Sequence, residues 1–121
     1  PGFDHLITAF KRVNNILGQA EEKNIEVPKR YDARRFRQIE EKQLNKKYRS
    51  VQSEVRKKIK AHDYYGVLKI LASLRKSVDN FFDEVLVMDP DEQIKKNRLA
   101  FLNNIVSLFS PLGKISELEI K

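Results

Sequence analysis

The 121-residue chain has no cysteine and no tryptophan, two histidines, one methionine, four glycines and four prolines. Without cysteine there is neither a disulfide framework nor a thiolate metal site, and two isolated imidazoles, His5 and His62, do not make a zinc centre. That composition suits a reducing compartment, and a cytoplasmic protein is expected. No apolar run approaches the roughly 20 residues that cross a bilayer, so no membrane partner is expected. The opening PGFDHLITAF lacks the basic region, apolar stretch and cleavage site of an export signal. The scarcity of glycine goes with the absence of phosphate-cradling loops, and no GxSxG, HExxH or cysteine nucleophile is present. Asp79 and Asp83 lie one helical turn apart, but solvent-side acids are the simpler reading. Neither catalytic chemistry nor a cofactor or metal is expected. The start at Pro1-Gly2, without methionine, suggests a fragment of a longer polypeptide, and 1–121 is of single-domain size.

Charge is what the chain has in excess. The formal net charge is +7 and the isoelectric point about 9.7, which favours a polyanionic partner. Its distribution is uneven. Residues 29–60 carry 13 Lys+Arg against 4 Asp+Glu, which leaves 11 against 13 for the rest.

Strand alternation and Asn-Gly or Asp-Gly turns are missing, and helical periodicity runs through most of the chain. From Phe3 to about Ala20, the residues Phe3, Leu6, Phe10, Val13 and Leu17 share one face, with Thr8, Lys11, Arg12, Asn15 and Gln19 opposite. The stretch from Glu21 to Gln38 has no such stripe and contains Pro28, so it reads as a linker anchored locally by Val27 and Phe36. Helix resumes near Glu40 with the stripe Leu44, Tyr48, Val51, Val55, Ile59, and cations gather on its other side. Asp63 is a plausible N-cap for a third helix from Tyr64 to Val87, with Val67, Leu68, Leu71, Leu74, Val78, Phe81, Phe82 and Val85 inward. Asp89 and Pro90 suit the cap and first position of a fourth, with Ile94, Phe101, Leu102, Ile105, Leu108 and Phe109 inward, ended by Pro111. A short helix is expected over Ser116 to Ile120. The expected fold is all-α, a bundle of four main helices plus that short one.

Two sets of side chains suit RNA. Lys42, Lys46, Arg49, Lys57 and Lys60 recur at helical spacing, which lines their charges along one side where they can track phosphates. Lys11, Arg12, Asn14 and Asn15 combine cations with amides, and an amide pairs with a base edge where a cation mostly meets phosphate. The competing reading of each is a solvated outer face. Tyr31, Phe36, Tyr64 and Tyr65 border the helices and are candidate stacking platforms for unpaired bases. Arg98 lies beside an inward face, and partial burial there calls for a carboxylate such as Asp79, Asp83 or Glu84.

The run from Val78 through Asn80-Phe81-Phe82-Asp83 to Met88, followed by Asn97-Arg98-Leu99-Ala100-Phe101-Leu102 and by Ile115-Ser116-Glu117-Leu118, resembles the end of bacterial glycyl-tRNA synthetase beta subunits. Phe10-Lys11-Arg12-Val13-Asn14-Asn15-Ile16-Leu17 is similar to that family's opening helix. Asn80 departs from the small residue usual before the phenylalanine pair. The resemblance implies a C-terminal helical anticodon-binding domain, related to that of arginyl-tRNA synthetase. It further implies an enzyme of two alpha and two beta subunits in which the alpha subunit aminoacylates and this domain helps recognise the anticodon arm of tRNA-Gly. On it, Arg12, Lys11 and Asn15 become RNA contacts and Asn97-Arg98 structural residues. The domain itself would be non-catalytic, with tRNA, the rest of the beta subunit and the alpha subunit as partners. Two alternatives stay open: the corresponding arginyl-tRNA synthetase domain, and an architectural bundle docking within a larger enzyme.

Overall fold

A computed structural model describes the backbone of residues 4–108 and the side chains of residues 7–108. The described residues form five α-helices and one 3-10 turn: α1 (Asp4–Glu22), the turn Ala33–Arg35, α2 (Ile39–Lys60), α3 (Tyr64–Ala72), α4 (Arg75–Glu84) and α5 (Glu92–Ser107). The expectations for Phe3, Leu6, Phe109, Pro111 and a helix over 116–120 lie outside these residues or side chains. α1 packs on α5 and α4, and α2 on α3 and α4, so the apolar stripes converge on one bundle core.

The stripes follow the helical period. Leu44, Tyr48, Val51 and Val55 of α2 are buried, as are Val67, Leu71, Leu74, Val78, Phe81 and Val85. Phe101 of α5 is fully buried at the centre of an aromatic cluster, 4.7 Å from Tyr31, 4.8 Å from Phe36 and 6.1 Å from both Tyr48 and Phe81 between ring centroids. Burying each such ring contributes about 1.5–3 kcal/mol.

The stretch from Tyr64 to Val87 is not one helix. Ser73 and Leu74 donate their amides to the carbonyls three residues back, Ile70 and Leu71, and the Ser73 hydroxyl also donates to the Ile70 oxygen. A serine bonding backwards competes with the regular ladder and tightens it into a 3-10 step. Both residues keep right-handed helical dihedrals, so the apolar stripe continues across the break.

Left-handed residues stop two of the helices. Asn24 and His62 occupy left-handed conformations, each with φ of 56°. After each, the next amide, that of Ile25 or Asp63, reaches back to a carbonyl five residues earlier, Ala20 or Lys58, which is the Schellman way of stopping a helix. Asp63 then caps α3 by accepting the Gly66 amide at 2.9 Å. The cap of α5 is Asp91, which accepts from Gln93 and Ile94, and not Asp89 as expected. Asp89 is drawn elsewhere: it accepts the Asp91 amide and lies 3.6 Å from the Arg98 guanidinium.

Candidate nucleic-acid interface

The second helix supplies the broadest cationic surface. With Leu44, Tyr48, Val51 and Val55 pointing inward, the helical period leaves Lys42, Lys46, Arg49, Lys57 and Lys60 outside, and all five are exposed. None of their side chains makes a hydrogen bond or ion pair with another described residue, so their charges are available to an external anion. Lys58 differs, lying 3.4 Å from Asp63.

On α1, Lys11, Asn14 and Asn15 are exposed and make no such contacts among the described residues. Arg12 does not share that freedom. Its Nη1 donates to Asp79 of α4 at 3.1 Å, and its guanidinium carbon lies 4.7 Å from the centre of the Phe82 ring. Its side chain keeps 39% exposure. Arg12 therefore joins α1 to α4 and still presents an edge to solvent.

Of the four aromatics expected as platforms, Phe36 is buried and Tyr31 stacks on it, centroids 5.7 Å apart, within the core cluster. Burial, together with nearby Tyr48, pushes the Tyr31 phenol above its ordinary pKa, and the protonated hydroxyl donates to Asn45 Oδ1 at 2.6 Å. Both are chiefly structural, although an edge of Tyr31 reaches the surface. Tyr64 is half-buried beside His62, whereas Tyr65 is 64% exposed with Lys69 Nζ 5.5 Å from its ring centre.

Arg98 is buried, as expected, but Asp79, Asp83 and Glu84 are not its partners. Its Nε and Nη2 donate to the two carboxylate oxygens of Glu41, each at 3.2 Å, and its Nη1 donates to the Leu86 carbonyl at 2.7 Å. Glu41, also buried, accepts the amides of Arg37 and Gln38 at the start of α2. The adjacent Asn97 holds Asp32 by both backbone groups, accepting its N–H at 2.6 Å and donating to its carbonyl at 3.0 Å. The Asn97-Arg98 pair thus fastens the linker and the first turn of α2 to α5.

Fastened in this way, the linker displays cations that periodicity did not single out. Arg30, Arg34, Arg35 and Arg37 are exposed. Arg34 bonds Asp32, and Arg35 donates to Gln93 Oε1 at 2.9 Å, while Arg30 and Arg37 make no side-chain contact of this kind among the described residues. The signal was compositional: five of the nine residues from Lys29 to Arg37 are cationic. Among the described residues, no group of three or more His, Asp or Glu side chains is placed to hold a metal, and no helix is long and apolar enough to cross a membrane.

Comparison with known proteins places these features in context. A family model described as the DALR anticodon binding domain matches residues 6–115. The chain is 37% identical over 118 residues to the glycine–tRNA ligase beta subunit of Halothermothrix orenii, covering 98% of this chain and 16% of that protein. It is 41% identical over 114 residues to the beta subunit from Aeromonas salmonicida, and 38% identical over 116 residues to that of Geotalea daltonii. These alignments cover 94% and 96% of this chain and 16% of each relative. No solved structure matches.

Proposed function

The chain belongs to the DALR anticodon-binding domain family, and on that premise we propose that it binds the anticodon arm of tRNA-Gly as a non-catalytic domain of a glycyl-tRNA synthetase beta subunit. The observation that carries this reading is the family match over residues 6–115, on a bundle whose longest described helix turns seven exposed cations outward, Lys47 and Arg56 among them. Lys42, Lys46, Arg49, Lys57 and Lys60 neutralise phosphates of the arm. Lys11, Asn14 and Asn15, with the free edge of Arg12, contact phosphate and base edges from α1. Affinity then comes from counterion release and selection from a few base contacts.

The names of the relatives support glycine over arginine as the cognate amino acid. Because the chain spans 16% of their length, the remainder of a beta subunit and an alpha subunit are proposed as its working partners and the bacterial cytoplasm as its location.

Titration with tRNA-Gly at rising salt tests the mechanism. The logarithm of affinity should fall linearly with the logarithm of salt, by about 0.9 per duplex phosphate and about 0.7 per single-stranded one. Competition by tRNA-Arg should be weaker than by tRNA-Gly. Binding that ignores salt overturns the phosphate mechanism, and preference for tRNA-Arg overturns the glycine assignment.

A further inference from the structure

Three shallow depressions lie along the linker between α1 and α2, and neighbouring ones share lining residues. The first, of about 290 Å³, lies between Arg34, Arg37 and the start of α5 at Asp91 and Ile94. It meets the second across Arg35 and Gln93, which line both. The second is the largest, about 390 Å³, with Pro28 and Tyr31 giving it an apolar floor and Arg30, Arg35 and Lys96 its cations. Tyr31 also lines the third, of about 330 Å³, which it shares with Asn45, Arg49, Gln52 and Asn104. The three form one track from the 3-10 turn to the basic face of α2. Its volumes match the small end of ligand sites.

The chemistry along the track changes in a definite order. Around the 3-10 turn it is cationic, and its two acids are engaged: Asp91 caps α5 and Asp32 bonds Arg34. In the middle, the pyrrolidine of Pro28 and the phenol ring of Tyr31 lie among three cations. At the far end it turns to amides. Asn45 has its oxygen committed to Tyr31 but its NH₂ group available, and Asn104 donates to the Lys29 and Ala100 carbonyls, leaving its oxygen as an acceptor. The walls are also fixed: Asn97 clamps Asp32, Asn104 holds Lys29 and Phe36 is buried in the core. Fixed walls spare a ligand the entropy of ordering a loop.

Building on the RNA-binding reading, we propose that this track holds unpaired nucleotides of the RNA loop. Phosphates lie on Arg30, Arg35, Arg37 and Lys96, one base packs against Pro28 and the exposed edge of Tyr31, and the next presents its edge to Asn45, Gln52 and Asn104. A single strand suits the site because its bases are free to leave the stack and meet rings and amides, which a duplex keeps paired. The amide end joins Arg49, so the strand passes directly onto the α2 face that grips the arm.

The test uses Arg30→Gln with Lys96→Gln, since neither side chain makes a hydrogen bond or ion pair among the described residues and the fold should survive their loss. The probes are a hairpin with the tRNA-Gly anticodon loop and a blunt duplex of equal phosphate number. The double variant should melt like the parent, lose about tenfold in hairpin affinity and shorten the salt slope by about 1.4, two single-strand contacts, while duplex affinity changes little. Photocrosslinking from 4-thiouridine in the loop should label the segment 28–37. Undiminished hairpin binding by the variant, or equal loss on the duplex, overturns the track and leaves the α2 interface standing. Failure of the parent chain to bind the hairpin overturns both readings.

Discussion

At the scale of single residues, the strictest requirement falls on Gly66. A β-carbon there would stand 2.5 Å from Asp63 Oδ2 and 2.8 Å from Asp63 Cγ, inside the cap that starts α3. Gly66→Ala should therefore displace the carboxylate and break the cap, with a drop in the urea midpoint. The cap is also pH-dependent. The Gly66 amide, and then Lys58, hold the Asp63 carboxyl below its ordinary pKa. Its contribution is present above the unfolded value and disappears as pH falls through the lower folded one, so parent and variant should converge in acid. A constant difference down to strongly acidic pH would contradict the linkage.

Lys11 and Arg12 separate at the same scale. Lys11→Ala should leave stability within about 0.5 kcal/mol and weaken tRNA binding. Arg12→Ala should cost about 1 kcal/mol as well, by removing the Asp79 pair and the Phe82 contact, both partly solvent-screened. Thermal melts and tRNA titrations on the two variants distinguish them. An unchanged affinity for Lys11→Ala removes that residue from the interface. Asp63 was legible as a cap because an acid sits at the break between two stripes. The choice of Asp91 over Asp89 was not, because it is settled by Asp89's attraction to Arg98 in space.

Between elements, the Arg98–Glu41 pair decides how α2 meets α5. Both side chains are 5% exposed or less, so removing one partner strands a charge out of water. Arg98→Met should destabilise by about 3–5 kcal/mol, and Glu41→Leu on that background should restore part of the loss. Denaturant unfolding of the single and double variants checks this. Strict additivity of the two losses would show that the groups act independently. The stripes of α2, the α3–α4 stretch and α5 could be read from apolar spacing, since each depends on its own residues. The Arg98 partner could not: Glu41 lies 57 positions away and looks in sequence like an ordinary first-turn acid favouring a helix dipole. The 3-10 break at Ser73 was hidden for the opposite reason, as no glycine or proline marks it.

Across the molecule, one face of α2 and the adjoining linker carry the charge that composition placed in residues 29–60. The helical half of that surface was legible because period and charge coincide there. The linker half lacked a period, and only its attachment to Asn97, Asn104 and the aromatic cluster turns a loose-looking segment into a surface of fixed shape.

The joint around Arg98 has a consequence in time. It binds the first turn of α2, the Leu86 carbonyl and the body of α5 through one guanidinium, so none of the three can peel away without exposing the same ion. Their amide protons should exchange with deuterium together, at a common rate near that of global unfolding. Early exchange at Glu41 or Lys42, ahead of Leu102, would mean that the joint opens one element at a time.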